Sequence, residues 1–424
     1  MPSLRRTRGG PVPSYIPSTL APMSSTARPR ISDDSRRARL ARRHLLHPAH
    51  RAGSTEEVAD AVVGLHATDA ATVYLSACAR LAEPSPADVE RALYEDVSLV
   101  KLLSMRRTLF AVTMDLAPYV SSSTARTIAL RERATLLKHL RENTEGHAPW
   151  DEQRLARTER EVLDALAARG EATTAELCKD VPALRETLLM SPGKAYEARQ
   201  SVGSRVLRLL AADGHLRRAR PRGSWTSSLY PWAPVPPIPE MDVREAKAGL
   251  ARRWLAAYGP ATEADLKWWT GWNLGDARRA LADVGACEVA LTGGETAYIL
   301  AGDDLDDPDA DPTPALAPWA ALLPGLDPTA MGWRGRDWYL SPDHVPALYD
   351  RAGNVGPTVW WNGRIIGGWA QRPNGEIAWR LLTDAGAEAE SAIAEEAARL
   401  SAWLGPARVT PRFRTPLERE LAAG

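Results

Sequence analysis

The sequence predicts an α+β protein, predominantly helical, built as three tandem winged helix-turn-helix units followed by a β-rich C-terminal domain with a closing helix. The first observation is a repeated pattern, clearest over residues 154–232 and again over 243–300. Each copy opens with an apolar-periodic helix, breaks at Gly170 or Gly259, and resumes at Ala172-Thr173-Thr174-Ala175-Glu176-Leu177 or Ala261-Thr262-Glu263-Ala264-Asp265-Leu266. The Thr hydroxyl accepts from free backbone N–H groups, and the following acid suits the positive end of the helix dipole. The second observation is that each restart leads into a longer helix (200–212, 274–284), a glycine (Gly214, Gly285) and two short strands. This is the layout of a winged helix, whose usual ligand is duplex DNA. The third is a set of alternating strands near the C-terminus, joined by Asn362-Gly363 and Asn374-Gly375, both strong hairpin turns.

In chain order, residues 1–36 are rich in Arg, Pro and Ser without an apolar stretch. They predict a disordered extension and no secretory signal, and Met23 offers an alternative start. The first unit spans 37–150. Its opening segment is basic and ends in His44, His47 and His50, which have no acidic or Cys partner nearby and read as a solvated helix end rather than a metal site. Ser54-Thr55-Glu56-Glu57 predicts a helix through residue 65, and Ser85-Pro86-Ala87-Asp88 another through 94. Residues 99–113 alternate as the wing strands of a degenerate first winged helix, and 124–143 form a charged helix leading onward.

The second unit spans 151–239. Its wing, 216–230, carries Arg217, Arg218, Arg220 and Arg222 around Gly223, suited to phosphate contact or groove insertion and equally compatible with a solvated hairpin. The third unit spans 240–302. Its wing turns at Gly293-Gly294 without cations, which makes that unit structural. Residues 303–318 read as an acidic, Pro-rich linker. The last segment, 319–424, predicts strands at 337–340, 358–361, 364–371 and 377–382, then a helix over 388–404 stopped by Gly405. A basic, extended tail completes the chain, in which Arg412 and Arg414 either track a phosphate backbone or pack along the surface. No helix presents a distinctive Arg/Asn face for reading bases.

Composition is that of an ordinary water-soluble chain of two to four domains, and formal net charge is zero. That excludes a strongly basic coat but not a local basic cleft, because the field at a groove depends on distribution. Only six of the 53 cations are Lys. Such an excess of Arg suits bidentate phosphate contacts and equally follows from a GC-rich coding bias. Cys78, Cys178 and Cys287 are scattered and predict small core residues in a reducing compartment. No apolar run is long enough to span a membrane.

The chemistry-bearing cluster is Gly64-Leu65-His66-Ala67-Thr68-Asp69-Ala70, expected at a helix–helix junction. His66 or Asp69 can orient and deprotonate a water that the Thr68 hydroxyl holds, and a carboxylate also stabilises a developing oxocarbenium ion. Alternatively, Thr68 or Asp69 caps the next helix and His66 is a satisfied buried polar group. No phosphate-binding loop, dinucleotide fingerprint or zinc pattern is present.

That cluster, with Tyr74-Leu75-Ser76-Ala77-Cys78-Ala79-Arg80-Leu81 and Met105-Arg106-Arg107-Thr108-Leu109-Phe110, resembles the winged-helix DNA glycosylase family of the AlkZ and YcaQ type. So does the ending, from Asn362-Gly363-Arg364-Ile365-Ile366-Gly367 to Arg412-Phe413-Arg414-Thr415-Pro416-Leu417, and the likeness spans residues 37–421. The resemblance implies a concave DNA-binding body that excises alkylated or crosslinked purines without a metal or other cofactor, in some members as self-protection against a genotoxin. The family's Gln, apolar residue, Gln or Asp signature is replaced here by His66, Ala67 and Thr68, residues that still bind water. Arg106 and Arg107 fall where the family carries an Arg that contacts phosphate or braces the site, and Phe110 replaces a His found in many relatives. Trp225 offers a stacking surface for an extruded base, or else a core side chain. The expected protein is thus a cytoplasmic, monomeric glycosylase acting on duplex DNA with a damaged base. The competing expectation is a winged-helix DNA-binding protein without catalysis, either a regulator or a lesion binder.

Overall fold

A computed structural model describes residues 28–303 and 316–424. The expected extension is ordered from its first described residues: β1 (Arg30–Ile31) pairs in parallel with β9 (Cys287–Leu291). Helix α1 (Asp33–Arg43) starts at a Ser32 cap, with Asp33 and Asp34 in its first turn and Arg42 and Arg43 in its last. The remainder of the predicted extension, 1–27, and most of the predicted linker, 304–315, lie outside the described residues. Asp303, the first acid of that linker, is instead partly buried between Arg39 and Arg43 of α1, where two guanidinium groups compensate its desolvation.

Three units share one element order apart from an added hairpin in the second. The first has α2 (Thr55–Ala61), β2 (Leu65–His66), α3 (Ala70–Cys78), α4 (Pro86–Glu90) extended by a π-helical turn over Arg91–Glu95, then the hairpin β3 (Leu99–Ser104) and β4 (Thr108–Thr113). Its sheet has the order β2-β4-β3. Helix α2 stops earlier than expected. Val63 and Gly64 take positive φ, and a Cβ on Gly64 would lie 2.9 Å from Val112 Cγ1, so only glycine lets the chain turn back as a strand against β4. Helices α5 (Ala117–Val120) and α6 (Arg126–Glu142) lead onward.

The second unit comprises α7 (Glu152–Arg169), an Ala172 bridge to Trp232, α8 (Thr174–Asp180), α9 (Val202–Ala212) and the paired strands β7 (Leu216–Arg218) and β8 (Trp232–Pro234). Between α8 and α9 a second hairpin appears, β5 (Thr187–Met190) with β6 (Ala198–Ser201), where no strand is expected from the sequence and residues 200–201 are expected to be helical. The third unit runs α10 (Val243–Tyr258), an Ala261 bridge to Tyr298, α11 (Glu263–Thr270), α12 (Leu274–Asp283), β9 and β10 (Thr296–Ile299). Thr173 with Glu176 and Thr262 with Asp265 form reciprocal capping boxes, the local reason both helices start where they do.

The C-terminal sheet is antiparallel, ordered β11 (Ala320–Leu323), β12 (Thr358–Trp361), β13 (Arg364–Gln371) and β14 (Ile377–Leu381). Residues 337–340 are not the strand expected. Trp338 and Tyr339 turn into an aromatic core with Trp333, and only Leu340 bridges to Ile365. A short helix, α13 (Val345–Leu348), precedes β12; α14 (Gly386–Leu404) packs on the sheet, and α15 (Pro416–Ala423) closes the chain after the extended tail.

The apolar core does not follow chain order. One cluster joins the first unit, the third unit and the C-terminal sheet around Trp254, Tyr258, Trp269, Trp333 and Trp360. The second unit encloses its own cluster around Trp150, Leu166 and Leu207. The shared body is pinned by a fully buried ion pair, Arg80 just beyond the end of α3 with Asp327 of the C-terminal segment, at 2.7 Å and 0% exposure on both side chains. Every guanidinium N–H is used: Nε donates to His44 O, Nη1 to Ser76 O and Asp327, Nη2 to Asp327 and Thr329 Oγ1. His44 is therefore not a solvated helix end. Burial, with Arg80 adjacent, lowers its imidazole to about 3, so the ring is neutral and sits between Thr329 Oγ1 and Ala257 O.

Removing one member of this pair strands a buried charge. Arg80→Met is expected to cost about 3–5 kcal/mol of stability, and Arg80→Met with Asp327→Leu less than the sum of the single changes. Denaturant unfolding of the three variants reads this directly, and additive losses would contradict the coupling.

Candidate active site

The turn at Val63 and Gly64 places His66 on β2, opposite Phe110 of β4, instead of at the end of a helix. Its ring packs 5.2 Å from the Phe110 ring and is 3% exposed. Nδ1 has no hydrogen-bond partner within the protein. Burial first, then the Arg106 cation, lowers the imidazole to about 4 against an opposing pull from Asp327. The ring is therefore neutral at neutral pH and keeps a free nitrogen lone pair, as a weaker base than an ordinary imidazole that can still take a proton from a water already bonded to an oxocarbenium carbon.

Beyond His66 the backbone stays paired with β4 through Ala67 N to Leu109 O at 2.7 Å, and Thr68 Oγ1 accepts weakly from Leu109 N at 3.4 Å. Asp69 caps α3 through Oδ1, which accepts from Ala71 N at 3.2 Å. Its Oδ2 accepts from the backbone N of Arg412 at 2.9 Å. Both carboxylate oxygens are thus engaged by backbone donors. This reduces the case for Asp69 as a free base.

Thr68 opens onto a cleft between the first and second units. One cavity of about 600 Å³ is lined by Lys101, Arg107, Arg205, Arg208, Arg217, Arg218 and Arg412, with Glu132 as its carboxylate. An adjoining cavity of about 620 Å³ shares Thr68, Lys101, Arg208, Arg218, Trp232 and Arg412 and reaches Ala67, Asp69 and Tyr94. In a chain of zero net charge, this concentrates positive potential on one groove.

The predicted cations divide sharply. Arg217 and Arg218 of β7 face the cleft, Arg217 half-desolvated with Nη1 unpartnered and Arg218 over the Tyr230 ring. Arg107 lines it too, paired with Glu132 at 2.5 Å. Arg220 instead bridges Glu90 and Glu95 of the first unit, and Arg222 leans toward Glu176 at 3.8 Å. Both belong to a loop whose Trp225 stacks on Tyr74 at 4.8 Å and meets Trp403 at 5.6 Å, a packing role rather than a free platform. Arg414 pairs with Glu418 of α15. Arg106, with positive φ, lies over the Trp268 ring at 3.8 Å and lowers the His66 pKa, a bracing position.

Arg205 and Arg208 on α9 are functional candidates that the sequence motifs do not single out. They share the polar stripe with Ser204, opposite Val206, Leu207, Leu209 and Leu210, so the amphipathic pattern held the signal.

His66 carries a linkage consequence. Its folded pKa, about 4, lies below the ordinary 6.5, so between those values the unfolded chain binds a proton that the folded chain does not. This group's contribution therefore lowers stability as pH falls through that window, by up to about 1.4 kcal/mol per pH unit. His66→Asn is expected to flatten that part of the acid limb in denaturant unfolding. An imidazole titrating near 6.5 by NMR would contradict the buried, neutral ring.

Residues 59–403 match the family model of AlkZ-like DNA glycosylases. The interstrand DNA cross-link repair glycosylase of Streptomyces sahachiroi is 26% identical over 373 residues, covering 85% of this chain and 93% of that protein. The solved structure of the Streptomyces sahachiroi DNA glycosylase AlkZ shares the fold, with a TM-score of 0.66 at 23% identity over 90% of this chain and 99% of that one. The chain belongs to the AlkZ-like DNA glycosylase family.

Proposed function

We propose that this protein is a monofunctional DNA glycosylase that hydrolyses the N-glycosidic bond of alkylated or bulky-adduct purines in duplex DNA. The observation that carries the proposal is the unpartnered, neutral imidazole of His66, buried two residues behind Thr68, whose side chain lines a cation-rich cleft. The three units are read as tandem winged helices with the order helix, short strand or bridge, helix, helix, hairpin, the second carrying the extra β5–β6 hairpin between its last two helices. The second unit offers α9 and β7 to the duplex through Arg205, Arg208, Arg217 and Arg218.

Alkylation at N7 or N3 makes a purine cationic and a better leaving group. As the C1′–N bond breaks, its electron pair leaves with the base and the sugar acquires oxocarbenium character. A water held by the Thr68 hydroxyl then attacks C1′ and loses its proton to His66. This chemistry calls for no metal or cofactor. The Streptomyces sahachiroi relative is named for interstrand cross-link repair, and two adjoining cavities of about 600 and 620 Å³ are roomy enough for a similarly bulky adduct here. Protection of a genotoxin producer from its own product is the biological role proposed, in a monomer acting on the nucleoid in the cytoplasm. Among the described residues no helix is long and apolar enough to cross a membrane.

The test is base release from duplexes carrying N7-alkylguanine or N3-alkyladenine, with alkaline cleavage of the abasic product. Wild type is expected to release base, and His66→Ala to do so at least about 100-fold more slowly. Equal rates in the two proteins would remove His66 from the chemistry. Tight binding of damaged duplex without release would point to a lesion binder.

A further inference from the structure

Asp69 and Arg412 stand 343 positions apart in sequence, yet they are joined at the divide between the two cleft cavities. Asp69 Oδ2 accepts from Arg412 N at 2.9 Å, while Oδ1 holds the start of α3 through Ala71 N. The Arg412 guanidinium, exposed and lining both cavities, reaches back toward Thr68 O at 3.4 Å. The tail that delivers it is fixed beside β13, where Val409 N donates to Gln371 Oε1 at 2.8 Å and Gln371 Nε2 donates to Ala407 O at 3.1 Å. Among the described residues the Arg412 guanidinium has no carboxylate partner; the Asp69 contact is to its backbone, which leaves the charge available to the cleft.

We propose that Asp69 is a positioning residue whose carboxylate brackets Arg412, and that the Arg412 guanidinium takes the backbone phosphate beside the damaged nucleotide. The proposal deepens the glycosylase reading and rests on it for the identity of that nucleotide. One carboxylate therefore does two geometrical tasks. It sets the direction in which α3 leaves Thr68, and it holds the chain's last basic segment against the same point. A phosphate there ties the position of the damaged nucleotide to the wall that carries Thr68, with His66 buried behind it.

Asp69→Asn separates the tasks, because the amide oxygen can still cap Ala71 N while the amide nitrogen cannot accept from Arg412 N. Asp69→Ser is the second variant: its hydroxyl caps but is too short to reach Arg412. The measurement is affinity for a duplex containing a tetrahydrofuran abasic-site analogue across a salt series, which needs no turnover. Asp69→Asn, Asp69→Ser and Arg412→Gln are each expected to weaken binding about 5- to 10-fold at low salt and to lower the slope of log affinity against log salt by about 0.9, one phosphate contact. Arg412→Lys is expected to retain the slope. The double variant Asp69→Asn with Arg412→Gln is expected to match Arg412→Gln alone. An unchanged slope in both Asp69 variants, or additive losses in the double variant, would overturn the proposal. Failure of wild type to release any damaged base would remove the glycosylase reading while leaving this binding series to decide the bracket.

Discussion

The structure depends on one buried ion pair. Arg80 and Asp327, both withdrawn from water, join α3 to the C-terminal segment and bring α1 and α10 along through His44, Thr329 and Ala257. Such a pair adds little net stability over an apolar substitute, since desolvation offsets most of the Coulomb attraction. Its value lies in specificity: five N–H donors find five acceptors in a single arrangement, and any displacement of α3 leaves one of them unmet. Helix α3 also carries Asp69 at its start, so the same constraint fixes the wall of the cleft.

Around that anchor the molecule divides into two bodies with different tasks. The first unit, the third unit and the C-terminal sheet share a core rich in aromatic side chains and act as one support. The second unit keeps its own core and faces the support across the basic cleft, fastened at one margin by Arg220 with Glu90 and Glu95 and by Trp225 against Tyr74 and Trp403. The Arg220 ion pairs are solvent-exposed, while the aromatic contact reaches in to the buried Tyr74 ring. Exposed ion pairs of the Arg220 kind are worth little.

The local signals in the sequence are legible because their physics is local. Thr173 with Glu176, Thr262 with Asp265, and the Asn362-Gly363 and Asn374-Gly375 turns act within four residues, and each sits where the pattern places it. The long-range features are not legible. Nothing in the neighbourhood of Arg80 announces a partner 247 residues away, and nothing near Arg220 shows that acids of the first unit neutralise it. The β5–β6 hairpin lacks a hydrophobic alternation of its own, and 337–340 looks like a strand because aromatic burial imitates one. At the candidate site the cluster from His66 to Asp69 is visible in the sequence. The strand turn at Gly64 that buries His66 and the Arg412 contact that occupies Asp69 belong to the tertiary structure.

The proposed function places damaged duplex DNA in the cleft between the first and second units, against the wall formed by Thr68 with His66 buried behind it. Hydrogen–deuterium exchange with and without a duplex containing a tetrahydrofuran abasic-site analogue tests it most directly. Slowed exchange is expected over residues 66–70, 101–109, 204–218 and 409–414, with the β9–β10 hairpin unchanged. Protection confined to the β9–β10 hairpin or the outer face of α14, with the cleft unaffected, would contradict the claim.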